Sequence, residues 1–218
     1  MSDLMKLDVV DTDGAIREAE EAVGGDTRAD LFRKAAIGGG AALGGGLLLG
    51  GLPELAVAGK PSARQDIAIL NFALTLEFLE ADFYKKAERD AGLTGEVKSA
   101  TRIVTRHENK HVAFLKGVLG SKAIKRPNFD FGKATTNQKD FLELAVKLED
   151  TGVRAYSGQG RRIKSAKVLK AAVSILTVEA RHASRFRTLN GDLFAPRTFD
   201  ASGTMKGVLR SAKPFIVG

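Results

Sequence analysis

The chain has 218 residues, 44% hydrophobic and 28% charged, with 34 Lys+Arg against 26 Asp+Glu and a formal charge of +8. That is enough for one ordinary globular domain and an appendage. It contains no Cys, which removes disulfide frameworks, thiol nucleophiles, zinc ribbons and iron–sulfur clusters, and it carries neither a Walker-type phosphate loop nor a Ser-centred nucleophile elbow.

Residues 1–58 read as an acidic leader followed by an export signal or anchor. Glu18, Glu20 and Glu21 cluster in a patchy segment expected to be disordered or weakly helical. Arg28, Arg33 and Lys34 then precede an apolar Ala/Gly/Leu run from Ala35 to Leu52, and Ala56-Val57-Ala58 closes it; these are the three parts of an export signal. Eight Gly in that run make it a poor membrane span. The stretch Thr27-Arg28-Ala29-Asp30-Leu31-Phe32-Arg33 resembles the twin-arginine export motif, with Ala29 in place of the second Arg. The expectation is export to the periplasm or cell envelope; an uncleaved anchor or interaction segment and a flexible glycine-rich arm are the alternatives. The leader holds 5 Lys+Arg and 10 Asp+Glu, so the remainder keeps 29 and 16 and a formal charge of +13. Such a field favours anionic partners, and it also serves simply as a solvated surface.

Four helices are predicted beyond the leader. The first spans Ser62 to about Ala91, with Ile67, Leu70, Ala73, Leu74, Glu77, Ala81 and Tyr84 on one stripe. Glu77 therefore lies in the middle of an apolar face, where a carboxylate costs several kcal/mol unless paired or bound to a cation. Gly92 ends this helix, and a second begins near Thr94 and runs to about Leu119. A linker of roughly 16 residues with Pro127, Phe129, Phe131 and Gly132 suits a chain crossing from one end of a bundle to the other. Thr136 or Asn137 can cap a third helix that fades by Gly158 and Gly160, and a fourth runs from about Ser165 to Asn190, stopping at Gly191. The tail 191–218 has room for a short helix near Thr204 to Ser211.

The rare residues of this region repeat. Glu77 is followed seven residues on by Tyr84 and then by Glu108-Asn-Lys-His111; Glu149 is followed seven on by Tyr156 and then by Glu179-Ala-Arg-His182. Three residues apart on a helix lets a carboxylate and an imidazole reach one point, and seven apart keeps each Tyr on the face of its Glu, about 10 Å along the axis. A Glu from each of two helices and a Glu-x-x-His from each of the others is the ligand set of dinuclear carboxylate bundles. Glu80 falls over Gly152 in the repeat and lacks a counterpart, so it reads as a surface residue or one standing behind the ligands. His107 falls over Val178 and reads as partly buried or outward.

At these residues the chain resembles the ferritin-like superfamily, specifically the exported ferritin-like domain proteins of bacteria, from about Pro61 to Asn190. The resemblance implies an all-α, antiparallel four-helix bundle with a long crossover between helices 2 and 3. It implies two metal ions held by Glu77, Glu108, His111, Glu149, Glu179 and His182, with Glu108 and Glu179 bridging. Tyr84 and Tyr156 match the tyrosine near the ferritin diiron centre, which bonds a ligand or gives up an electron; each can also be a core residue with a satisfied hydroxyl. Oxygen and imidazole donors without thiolate suit two Fe ions, with Mn as the alternative. The expected activity is oxidation of ferrous iron by dioxygen or peroxide, or peroxide detoxification. The rival reading is a non-enzymatic, metal-stabilised protein acting on an anionic envelope polymer, a lipid or DNA. Nucleic acid is the weaker partner, because DNA-protecting mini-ferritins build their site between subunits; homo-oligomers are left open.

Overall fold

The computed structural model describes residues 61–217; the expected acidic leader and the expected export signal or anchor lie outside the described residues. Four long helices form where the periodicity places them: α1 (Ala63–Asp90), α2 (Gly95–Leu119), α3 (Gln138–Gln159) and α4 (Ala166–Asn190). Ser62 caps α1 by accepting from the Gln65 amide, and Asn137 caps α3 by accepting from Asp140. The start of α4 is held from another helix. Asp66 of α1, itself buried, accepts from the Lys164 and Ser165 amides at 2.8 and 2.9 Å. Gly191 ends α4 in the left-handed conformation, φ +83°, and returns its amide to Arg187 and Thr188.

The contacts between helices fix their directions. Along α1 and α3, Glu77 meets Tyr156 and Tyr84 meets Glu149, so one number rises as the other falls and the pair is antiparallel. The same holds for α2 and α4, where Glu96 meets Arg185 and His107 meets His182. The centre of the bundle is α1, whose Leu74, Phe83, Tyr84 and Ala87 are fully buried. Phe83 stacks on Phe141 and Tyr84 on Phe186, with ring centroids 5.2 and 5.4 Å apart. Such pairs add about 0.5–1.5 kcal/mol each beyond their burial. No helix among the described residues is long and apolar enough to cross a membrane.

The crossover and the tail hold one another. Strand β1 (Asn128–Phe129) pairs antiparallel with β2 (Ile216–Val217), in register Asn128 to Val217 and Phe129 to Ile216. Phe131 packs on Phe129 and Phe215 across this seam. The short helix α5 (Met205–Ala212) forms as expected, capped by Thr204, and buries Val208 and Ala212 in the bundle core. Two-residue strands give no alternation to read, so the pairing has no signal in the sequence.

Helix α3 ends between Gly158 and Gly160, as expected from the sequence. The helix continues to Gln159, and Gly158 is where the tail crosses: a Cβ there would meet the Gly203 carbonyl oxygen at 1.9 Å. Gly203 in turn donates its amide to Arg154 at 2.8 Å. Gly158→Ala should therefore push the tail off α3 and destabilise the fold by about 1–3 kcal/mol. Chemical denaturation of the variant against the parent measures it, and an unchanged midpoint would show that the tail does not hold there.

Candidate metal centre

Each long helix delivers polar groups to the interior at one depth. Glu77 comes from α1, Glu108 from α2, Glu149 from α3 and Glu179 from α4, and all four are fully buried. His182 is buried, and His111 is half-buried at the edge of the same cluster. The donors fall into two groups whose ligand atoms lie within 4.8 Å of one another: Glu77, Glu108, His111 and Glu179, and Glu108, Glu149, Glu179 and His182. All six residues expected from the repeat are thus brought together, with Glu108 and Glu179 common to both groups.

Both imidazoles turn Nδ1 inward. His111 Nδ1 lies 3.1 Å from Glu77, 3.0 Å from Glu108 and 3.2 Å from Glu179. His182 Nδ1 lies 3.1 Å from Glu108 and 3.4 Å from Glu149. The tyrosines act crosswise: Tyr84 of α1 donates to Glu149 Oε1 of α3, and Tyr156 of α3 donates to Glu77 Oε1 of α1 at 2.5 Å. Each Tyr stands seven residues, about 10 Å along the axis, from the Glu of its own helix, whereas the antiparallel pairing brings it to the level of the Glu on the other. Each hydroxyl occupies one carboxylate oxygen and leaves the second free. Glu77 Oε2 faces His111, and Glu149 Oε2 faces His182.

Whether these residues suit a cation is tested by what remains unbonded. Glu108 Oε1, Glu149 Oε2, both oxygens of Glu179 and His182 Nδ1 are buried with no hydrogen-bond partner among the described residues. Buried polar atoms are normally satisfied, and five orphans on the four residues of one donor group are the pattern of donors aimed at an ion. Hard carboxylate oxygens, imidazole nitrogens and no thiolate fit a first-row ion such as iron or manganese.

Without metal the cluster retains protons. Burial, reinforced by Glu108 and opposed by the His111 bond, raises Glu77 to about 7. Burial and the charges of Glu77 and Glu149 raise Glu179 to about 8. Glu149 is also raised, by burial against the pull of His182. For the imidazoles burial opposes charge, but the carboxylates outweigh it: Glu108, Glu179 and Glu77 lift His111 to about 12, and Glu108 and Glu149 lift His182 to about 10. Burial and the adjacent carboxylates hold both Tyr hydroxyls well above their usual range, so they remain donors at neutral pH.

Two further residues stand beside the six. Glu80 takes the second of the two places expected for it, behind the ligands rather than on the surface. It is 2% exposed, and burial followed by the charges of Glu179 and Glu149 raises its pKa well above the ordinary value. Its space comes from its partner in the repeat: a Cβ on Gly152 would lie 3.2 Å from both Glu80 Oε1 and Glu179 Oε2. A Glu facing a Gly at repeat-related positions is the signal in the sequence that bears on the choice between those two places. His107 is half-buried as expected, but its Nδ1 lies 2.9 Å from His182 Nε2, a contact that the repeat does not announce. Burial and the neighbouring His182 and His111 lower its pKa.

The raised carboxyls favour the fold while protonated, fully so below their unfolded pKa, and lose that contribution as pH rises through about 7 and 8. The raised imidazoles lose theirs at still higher pH, toward about 10 and 12. Both act in one direction, so the Tm of the metal-free protein should fall between roughly pH 5 and pH 9. Because ligation displaces those protons, the Tm gained on adding Mn(II) should grow over the same range. Thermal melts with and without Mn(II) measure both, and a metal-free Tm that rises with pH contradicts this account.

Comparison with known proteins agrees with the fold just described. The sequence profile of a family described as ferritin-like domain matches residues 65–192. Comparison with curated protein sequences gives no match. Among solved structures, a conserved hypothetical protein, rv2844, from Mycobacterium tuberculosis aligns at 18% identity and a TM-score of 0.52, covering 59% of this chain and 98% of that one. At that identity the likeness concerns the fold alone. The matched segment takes in all four long helices and every member of the buried cluster, and the chain belongs to the ferritin-like domain family.

Proposed function

We propose that this protein is a dinuclear iron or manganese carboxylate protein that oxidises ferrous iron or consumes peroxide at a site within one bundle. The observation that supports it is the pair of four-donor groups sharing Glu108 and Glu179 and converging on unbonded buried atoms. Glu77 with His111 would hold one ion, Glu149 with His182 the other, and Glu108 and Glu179 both. Two such ions would supply one electron each toward dioxygen or peroxide. The chain contributes the rest. Tyr84 and Tyr156 orient the terminal carboxylates and place a phenol beside each half of the site. Leu74, Phe83, Phe141 and Phe186, all fully buried, help wall the interior and keep water from it.

A second reading has its own support. The outer faces of α2 and α4 expose Lys98, Arg102, Arg106, Lys110, Lys116, Lys167, Lys170, Arg181 and Arg185, with Glu96 as the one exposed acid of the two helices. A face so one-sided in charge suits an anionic envelope polymer or lipid, and a metal-stabilised bundle could act there without catalysis. Salt-sensitive binding of the metal-free protein to anionic vesicles, together with no oxidase activity, favours this reading. We also propose export, tested by whether secreted material begins at Gly59.

Metal analysis of the purified protein followed by aerobic addition of ferrous iron separates the first reading from the second. The expected result is two ions per chain and a rise in ferric absorbance well above that of buffer. Glu108→Ala and Glu179→Ala should each abolish both, since each removes a donor common to the two groups. A folded parent protein that takes up no metal and oxidises nothing refutes the proposal.

A further inference from the structure

The two halves of the centre are alike in what faces inward and unlike in what stands behind. His182 directs Nδ1 to Glu108 and Glu149, and its outer nitrogen, Nε2, lies 2.9 Å from Nδ1 of His107. The rings are nearly parallel, 19° apart with centroids at 5.2 Å. His111 also directs Nδ1 inward, but no partner for its Nε2 is found among the described residues. The position that repeats His107 is Val178, which offers no acceptor. Glu80, the other departure from the repeat, shares its space with Glu179, which belongs to both halves and so favours neither.

A neutral imidazole carries one N–H and one lone pair. For His182 to offer Nδ1 to a cation, its hydrogen must sit on Nε2; the opposite tautomer would spend Nδ1 as a donor to Glu108 or Glu149. The 2.9 Å contact fits the ligating tautomer when His107 Nδ1 accepts from His182 Nε2, its own hydrogen then sitting on its other nitrogen. The same bond fixes the plane of the His182 ring. Partners of this kind behind a ligating imidazole are worth about 10- to 100-fold in metal affinity.

We propose that His107 is a positioning residue that holds His182 in its metal-ligating tautomer, so that the His182 half-site binds its ion more tightly than the His111 half-site and the centre loads in a fixed order. The inference rests on the dinuclear reading above. Anaerobic titration of the full chain with Co(II), whose visible absorbance reports ligand geometry, tests it. The parent protein should show two resolved steps. His107→Ala should weaken the tighter step about 10- to 100-fold and leave the other in place. His107→Gln, whose amide oxygen can accept from His182 Nε2, should recover most of the loss. In a His111→Ala background the remaining step should still respond to His107→Ala, whereas in a His182→Ala background it should not. Should His107→Ala fail to fold, His107→Phe keeps a ring, removes the acceptor and is expected to give the same weakening. Two unchanged steps in the His107 variant, or equal weakening of both, overturns the inference and leaves the dinuclear reading standing. A parent protein that takes up no Co(II) overturns both.

Discussion

Five buried glutamates share the inside of one bundle, and that concentration of like charge is the constraint on which the rest of the structure depends. A single buried carboxylate is costly, and neighbours of the same sign add to the cost unless each finds a partner, a proton or a cation. Glu77 and Glu149 each find a tyrosine and an imidazole. Glu108 lies between both imidazoles, and Glu179 lies beside both. The protonation of the cluster, its unbonded atoms and its match to two cations are thus three expressions of one electrostatic problem.

The antiparallel arrangement answers part of that problem by geometry. Because α1 and α3 are antiparallel, each tyrosine stands level with the other helix's glutamate and about 10 Å along the axis from its own. The bonds are therefore interhelical, and they tie together two helices that are not consecutive in the chain. Aromatic packing of Tyr84 on Phe186 fixes one of the two rings that make this exchange. Site and scaffold share the same residues.

Much of this was legible in the sequence. Helix limits came within a residue or two, because caps such as Ser62, Asn137 and Ser165 and stops such as Gly191 act locally. The six donors were legible because scarce polar residues sat on apolar stripes and recurred in register. What stayed hidden depends on distant partners. Glu80 is buried because Gly152 makes room for it, and the same mismatch reads equally well as an unpaired surface acid. His107 meets His182 across a helix pair whose rotation no single segment specifies. The tail's approach to Gly158 stayed hidden too, because the Gly203 backbone that it admits comes from a distant part of the chain.

The β1–β2 clamp joins the crossover to residues 216–217 across roughly 90 residues of chain, and closing so long a loop carries an entropy cost of about 4 kcal/mol. The helical hairpins α1–α2 and α3–α4 have no such distance to cover. On a ribosome, where the N-terminal part emerges first, both hairpins can associate while the crossover still hangs unfastened. The clamp, and with it the crossover carrying Phe129 and Phe131, can lock only after synthesis has passed Val217. Maturation of this fold is then timed by a segment made after the four long helices, whereas the buried acids are gathered by segments completed earlier.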